Sequence, residues 1–229
     1  MKKILIALLL SSFFLSSFSQ DLSYEIRGKY ARAVKKENLY GAKLIRDFIT
    51  GYPANWVTDY ISVEILATSN GKTISAFSTN ETLTTAQQNI LNKAELGTEI
   101  GVNVKYKSVN SVTDKVENSS LDILMTVVPE TEAEYIGGYQ QLKKYLKENV
   151  INKIAATTPA QYQEGKVLFT INESGEIANA QISKTSGDID TDNLLLETIN
   201  KMPIWKPAVN EKGIKVKQQF EFSVGKAGC

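Results

Sequence analysis

Asp188, Asp190 and Asp192 recur at every second position, the 1-3-5 spacing with which a calcium loop offers its first three ligands. Such a loop also needs glycine at its sixth place for the sharp turn and glutamate at its twelfth as a bidentate ligand. Here those places hold Asn193 and Ile199. Acids before and within a first helical turn have another use: they accept free backbone N–H groups and favour the positive end of the helix dipole. The residues support this second reading, and no metal site is assigned. Other reactive groups are scarce. The chain has no histidine, which removes Ser-His-Asp triads, Cys-His pairs, histidine zinc sites and the commonest general base. Its single cysteine, Cys229, cannot form an intramolecular disulfide or a thiolate metal site. No Walker loop, GxGxxG or GxSxG is spelled. We read the protein as non-enzymatic, with no cofactor and no small-molecule substrate.

At 229 residues and 42% hydrophobic content, the chain can bury the cores of two small domains. Residues 1–19 have the form of a signal peptide. Lys2 and Lys3 precede an apolar stretch from Ile4 to Phe18, and Ser17-Phe18-Ser19 offers small residues for cleavage before Gln20. That stretch is shorter than the roughly 20 apolar residues of a membrane span. The expected location is the periplasm; the alternative is an uncleaved inner-membrane anchor with the rest facing the periplasm. Without Lys2 and Lys3, 24 of the 26 basic residues stand against 25 acids, a net charge of −1. Near-neutrality gives no electrostatic case for nucleic acid or anionic membrane.

Residues 20–60 read as a polar, partly helical arm, with Ala42, Ile45 and Ile49 at helical spacing before the break at Gly51-Tyr52-Pro53. From 61 to 128 the pattern gives ββαββ. Ile61, Val63 and Ile65 alternate, Asn70-Gly71 signals a hairpin, and Thr84-Thr85-Ala86-Gln87 spells a capping box. Two further alternating runs, from Ile100 and from Leu121, complete the unit. After an acidic hinge at Glu130 to Glu134, residues 135–225 read helix-strand-strand-helix-strand. Gly137-Gly138 opens the first helix, Thr157-Thr158-Pro159 breaks it, Ser174-Gly175 turns the strand pair, and Pro203 stops the second helix. The run Met202-Pro203-Ile204-Trp205-Lys206-Pro207-Ala208 follows, where an extended Pro-bounded segment drops the Trp205 indole onto the sheet. The last strand runs from Ile214 to Val224, with Ile214, Val216, Phe220, Phe222 and Val224 on one face and Gln218 interrupting. Lys215, Lys217, Gln219, Glu221 and Ser223 form the solvated face. The fold class is α+β in two small domains, a ββαββ module followed by an αββαβ domain with a three-stranded antiparallel sheet.

The Gly137-Gly138 start, the Gly165-to-Ile177 strand pair, the Met-Pro-Ile-Trp-Lys-Pro run and the long last strand together resemble the C-terminal domain of the TonB family, over Tyr135 to Val224. The resemblance implies a domain that binds partners and does no chemistry. It implies a partner in the envelope, an outer-membrane transporter or motor-associated protein, that adds a strand to the sheet. If the last strand lies at the sheet edge, Ile214, Lys215, Val216, Lys217, Gln219, Glu221 and Ser223 are the residues that would meet it; the same strand offers a route to a homodimer. Gly137, Gly138, Pro203, Trp205 and Pro207 are then structural. A complete energy transducer of this family has a Pro-rich spacer and an anchor histidine facing its motor, whereas this chain has five prolines and no histidine. An exported partner-binding protein therefore comes first, and an anchored energy transducer for outer-membrane transport second. A third reading, an accessory of gliding or secretion machinery, rests on a fainter likeness of the 61–128 unit to modules of Bacteroidetes gliding-motility and secretion proteins.

Overall fold

The computed structural model describes residues 22–30, 32–155 and 163–226. The leader at 1–19, the break at Thr157-Thr158-Pro159 and Cys229 lie outside the described residues. Strands β1 (Leu22–Gly28) and β2 (Ala33–Lys35) come first, then the short helix α1 (Lys36–Leu39) and tight helical turns at Ile45–Asp47 and Ala54–Trp56. β3 (Asp59–Ser69), β4 (Lys72–Ser78), α2 (Thr85–Asn92), β5 (Glu99–Val109) and β6 (Val116–Val128) follow. Beyond them lie β7 (Glu134–Tyr135), α3 (Gly138–Leu146), a wide turn at Lys147–Ile151, α4 (Asn152–Ala155), β8 (Gly165–Ile171), β9 (Ile177–Lys184) and α5 (Ile189–Asn200). The chain ends with β10 (Trp205–Lys206), β11 (Ala208–Val209), β12 (Lys215–Val216) and β13 (Gln218–Lys226).

A five-stranded sheet has the order β2-β6-β5-β3-β4, antiparallel except for β2 beside β6. Val63, Ile65, Ile100, Val102, Val104, Met125 and Val127 form its inner face, packed on Ile90 and Leu91 of α2. Asn70 and Gly71 both take positive φ, as the tight β3–β4 hairpin requires. Thr84 accepts from the Gln87 N–H while the Gln87 side chain accepts from the Thr84 N–H, so the start of α2 is closed reciprocally. Gln87 is fully buried, and its Nε2 donates to the Val63 and Ala76 carbonyls at 3.1 and 3.4 Å. A bulge between Tyr60 and Ser62 turns Ile61 to solvent, contrary to the alternation expected from Ile61, while Val63 and Ile65 stay inside.

The arm departs from its expected helix. Ala42, Ile45, Phe48 and Ile49 are buried, yet only Ile45–Asp47 makes a turn. The Asp47 carboxylate accepts the Lys43 and Leu44 N–H groups at 2.8 Å each, offering the backbone an alternative to helix. Gly41 and Gly51, both at positive φ, bound the segment.

The second main sheet is antiparallel throughout and has the order β1-β13-β8-β9, four strands where three were expected. The extra strand is β1, from the arm. Leu142, Leu146, Val150, Leu195 and Ile199 from the helices cover Val167, Phe169, Ile171, Phe220, Phe222 and Val224, and Ile26 of β1 joins this core. The acidic segment between the sheets is fixed rather than hinge-like. Glu130 meets Lys35 at 2.6 Å, Thr131 pairs with Val209, and Glu132 accepts from the Tyr30 hydroxyl at 2.5 Å. Burial, with the neighbouring Glu132 adding to it, pushes the Tyr30 phenol up to about 12.

Candidate partner-binding strand

The segment expected as one strand from Ile214 to Val224 is two. Lys215 and Val216 pair with Val209 and Ala208 across a turn in which the Asn210 side chain accepts the Lys212 and Ile214 N–H groups at 3.0 Å each. Ile214 is exposed rather than core-facing. Lys217 separates this hairpin from β13. The break has a cause in Gln218, a buried amide on the core face that cannot be left unsatisfied. Its Oε1 accepts from the Ala133 N–H at 2.7 Å and its Nε2 donates to Glu132 at 3.0 Å.

β13 is not an open edge. β8 lies on one side, in a register that places Phe220 opposite Phe169, and β1 lies on the other. The β1 ladder matches Tyr24 with Val224, Glu25 with Ser223, Ile26 with Phe222 and Arg27 with Glu221. Lys29 continues it, its N–H donating to the Gln219 carbonyl at 3.0 Å. In an antiparallel ladder backbone groups alternate sides, so those of Gln219, Glu221 and Ser223 point at β1 and those of Phe220, Phe222 and Val224 at β8. Of the residues expected to meet a partner, these three do line the flank where a strand is added, but that flank is filled from within the chain. Ile214, Lys215, Val216 and Lys217 stand apart from it.

The solvent face of this sheet carries a run of alternating charge. Glu221 lies 3.8 Å from Arg27 of β1 and 3.2 Å from Lys166 of β8, and its side chain keeps only 16% exposure. Lys166 and Lys184 both reach Glu164, at 3.7 and 3.0 Å. The Lys184 hydrogen bond holds the Glu164 carboxyl below its ordinary range. β9, the other edge, is a poor receiver. Its register with β8 shifts twice and Asn179 has positive φ, a bulged margin of the kind that discourages pairing.

Leu22–Gly28 is the strand of this sheet that sequence reasoning passed over. Leu22, Tyr24 and Ile26 alternate with Ser23, Glu25 and Arg27 and stop at a glycine, a strand signature within a segment read as helical arm.

The remaining motif residues lie in the core, at turns or beside short strands. Trp205 is 3% exposed, pairs through its backbone with Tyr135, and stands edge-on to the Tyr135 ring at 5.5 Å and tilted against Phe220 at 5.2 Å. Its indole N–H is buried without a hydrogen-bond partner. Gly175 fixes it: the Trp205 N–H donates to the Gly175 carbonyl at 2.7 Å, and a Cβ on Gly175 would run into the Trp205 carbonyl oxygen. Pro203 and Pro207 bracket the short strand β10. Gly137 and Gly138 both take positive φ in the turn that starts α3. Asp188 caps α5 by accepting the Thr191 N–H at 3.0 Å, and Asp192 accepts from Thr185 Oγ1, Ser186 N and Ser186 Oγ at 2.5, 2.8 and 2.7 Å. Among the described residues, no three His, Cys, Asp or Glu side chains gather as they would around a metal, and no helix is long and apolar enough to cross a membrane.

Residues 137–222 match the family model described as TonB C terminal. The segment from α3 into β13 is a TonB C-terminal domain, spanning well under half of the chain. No curated protein and no solved structure matches the chain. The matched residues exclude β1, so the strand filling the flank of β13 comes from outside the recognised domain.

Proposed function

We propose that this is an exported, non-enzymatic protein of the periplasm whose TonB C-terminal domain binds an envelope protein, an outer-membrane transporter, by β-strand pairing. The observation that carries this reading is the β1–β13 ladder: the sheet of the TonB C-terminal domain accepts a strand from outside that domain. Backbone pairing supplies affinity in such an arrangement, and alternate side chains supply selectivity. In this reading 61–128 is an α+β module and 135–225 the binding domain, and the arm at 20–60 joins both: β1 pairs with β13, while β2 and the buried Leu39, Ile45 and Ile49 pack with the five-stranded sheet.

Photo-crosslinking in cells of the native host tests it. A photoreactive residue at the exposed Gln219 is expected to yield an adduct with an outer-membrane protein, whereas one at Ser75, exposed on the other sheet, is not. Failure to recover such an adduct from Gln219 contradicts the reading. Intact mass tests the export: a native chain that retains Met1 contradicts it.

A further inference from the structure

We infer that the place β1 occupies on β13 is itself the recognition surface, and that the partner is an extended segment resembling β1 that takes its place. The inference rests on the strand-pairing reading above and specifies the sequence class of its partner.

Three observations lead to it. First, β1 is lightly held. It is an edge strand, and of its apolar residues only Ile26 is buried, while Leu22 and Tyr24 are partly exposed; β8 by contrast buries Val167, Leu168, Phe169 and Ile171. Second, the place offers more than a ladder. A strand there gains the backbone groups of Gln219, Glu221 and Ser223 together with the margin of the core around Phe222 and Val224. A strand added outside β1 would gain backbone pairing with no core to cover. Third, the place selects by charge and shape. Glu221 sits partly buried between Lys166 and Arg27, so a basic residue is favoured opposite it. Lys143 stands 5.8 Å from the Tyr24 ring, which favours an aromatic two positions before the Ile26 site.

The preferred occupant is thus antiparallel to β13 and reads aliphatic-x-aromatic-x-aliphatic-basic, as in Leu22-Ser23-Tyr24-Glu25-Ile26-Arg27. Exchange replaces like hydrogen bonds with like. Because β1 belongs to the same chain as β13, its effective concentration is on the order of millimolar, which a competing strand must overcome by filling the Leu22 and Tyr24 sites better. β1 thereby sets the threshold for binding.

A labelled peptide of residues 22–30, followed by fluorescence anisotropy on the full chain, tests this without knowledge of the natural partner. Glu25→Pro removes a ladder donor facing Ser223 and is expected to raise peptide affinity by at least about ten-fold over wild type. Arg27→Glu or Ile26→Asp in the peptide should abolish the gain. In a Glu25→Cys/Ser223→Cys variant with Cys229→Ser, oxidation should eliminate binding and reduction restore it. Equal binding by the oxidised and reduced forms overturns the inference, because the peptide then docks outside β1. A folded Glu25→Pro protein that binds no tighter than wild type overturns it, as does one that dimerises and excludes the peptide, since the occupant is then a second copy. Should Glu25→Pro not fold, the disulfide pair decides alone. Peptide entry without a Gln219 adduct in cells would leave this inference standing and remove the proposed envelope partner; the adduct without peptide entry would do the reverse.

Discussion

Ile26 stands directly opposite Phe222, joining the first described strand of the chain to the last. Phe222 is fully buried and Ile26 nearly so, so the pair closes the margin of the core. Ile26→Ala is expected to lower unfolding free energy by about 2 kcal/mol, the low end for a buried isoleucine because an edge can relax. Urea titration checks it. A loss well below this would mean that β1 contributes little to the folded state.

Gly175 and Gly187 separate two effects of a positive φ. Both occupy that region, but a Cβ on Gly175 meets the Trp205 carbonyl whereas one on Gly187 meets nothing within 4 Å. Gly187→Ala should cost about 1 kcal/mol for backbone conformation alone. Gly175→Ala adds displacement of β10 and should cost about 3 kcal/mol. Equal losses from the two, by thermal or urea melts, would contradict the anchoring of Trp205 by Gly175.

The two tryptophans differ sharply in environment, Trp205 at 3% exposure and Trp56 at 58%. Trp56→Phe should leave a blue-shifted emission poorly quenched by acrylamide, and Trp205→Phe a red-shifted one quenched freely. Trp205→Ala should destabilise by about 4 kcal/mol, as for large aromatic truncations in cores. Free quenching of Trp205 would place it at the surface as a recognition residue.

Asp192 gives a pH signature. Burial raises its carboxyl, but hydrogen bonds from Thr185 and Ser186 outweigh that and leave it below the ordinary range. A depressed carboxyl stabilises the fold above the unfolded value of about 3.9, and the contribution is lost as pH falls through the folded value. The stability gap between wild type and Asp192→Asn should therefore be widest at neutral pH and close below about pH 4. A gap independent of pH would show that the charge is not what Thr185 and Ser186 stabilise.

Local signals were legible where each residue's neighbours in sequence are also its neighbours in space. The Thr84/Gln87 capping box, the Asn70-Gly71 hairpin and the Pro-bounded burial of Trp205 are of this kind. Long-range pairing was not. The alternation of Ile214-to-Val224 puts Gln218 on the core face, but nothing in it reveals that the amide serves Ala133 and Glu132 there, nor that β1 crosses from the arm to fill the flank of β13. The alternation of Leu22, Tyr24 and Ile26 was present but short, and the helical spacing from Ala42 to Ile49 drew the whole arm toward helix. There Asp47 captured the backbone N–H groups that a helix would have used.

Residue-resolved hydrogen exchange of β13 in the full chain tests most directly whether β1 covers this strand and can leave it. The Glu221 and Ser223 amides point at β1, the Phe220 and Phe222 amides at β8. Both pairs should be protected, with Glu221 and Ser223 exchanging faster by at least about ten-fold because release of β1 requires no global unfolding. Unprotected Glu221 and Ser223 would show that β1 does not occupy the flank. Exchange of all four amides at one common, global rate would show that it cannot be displaced.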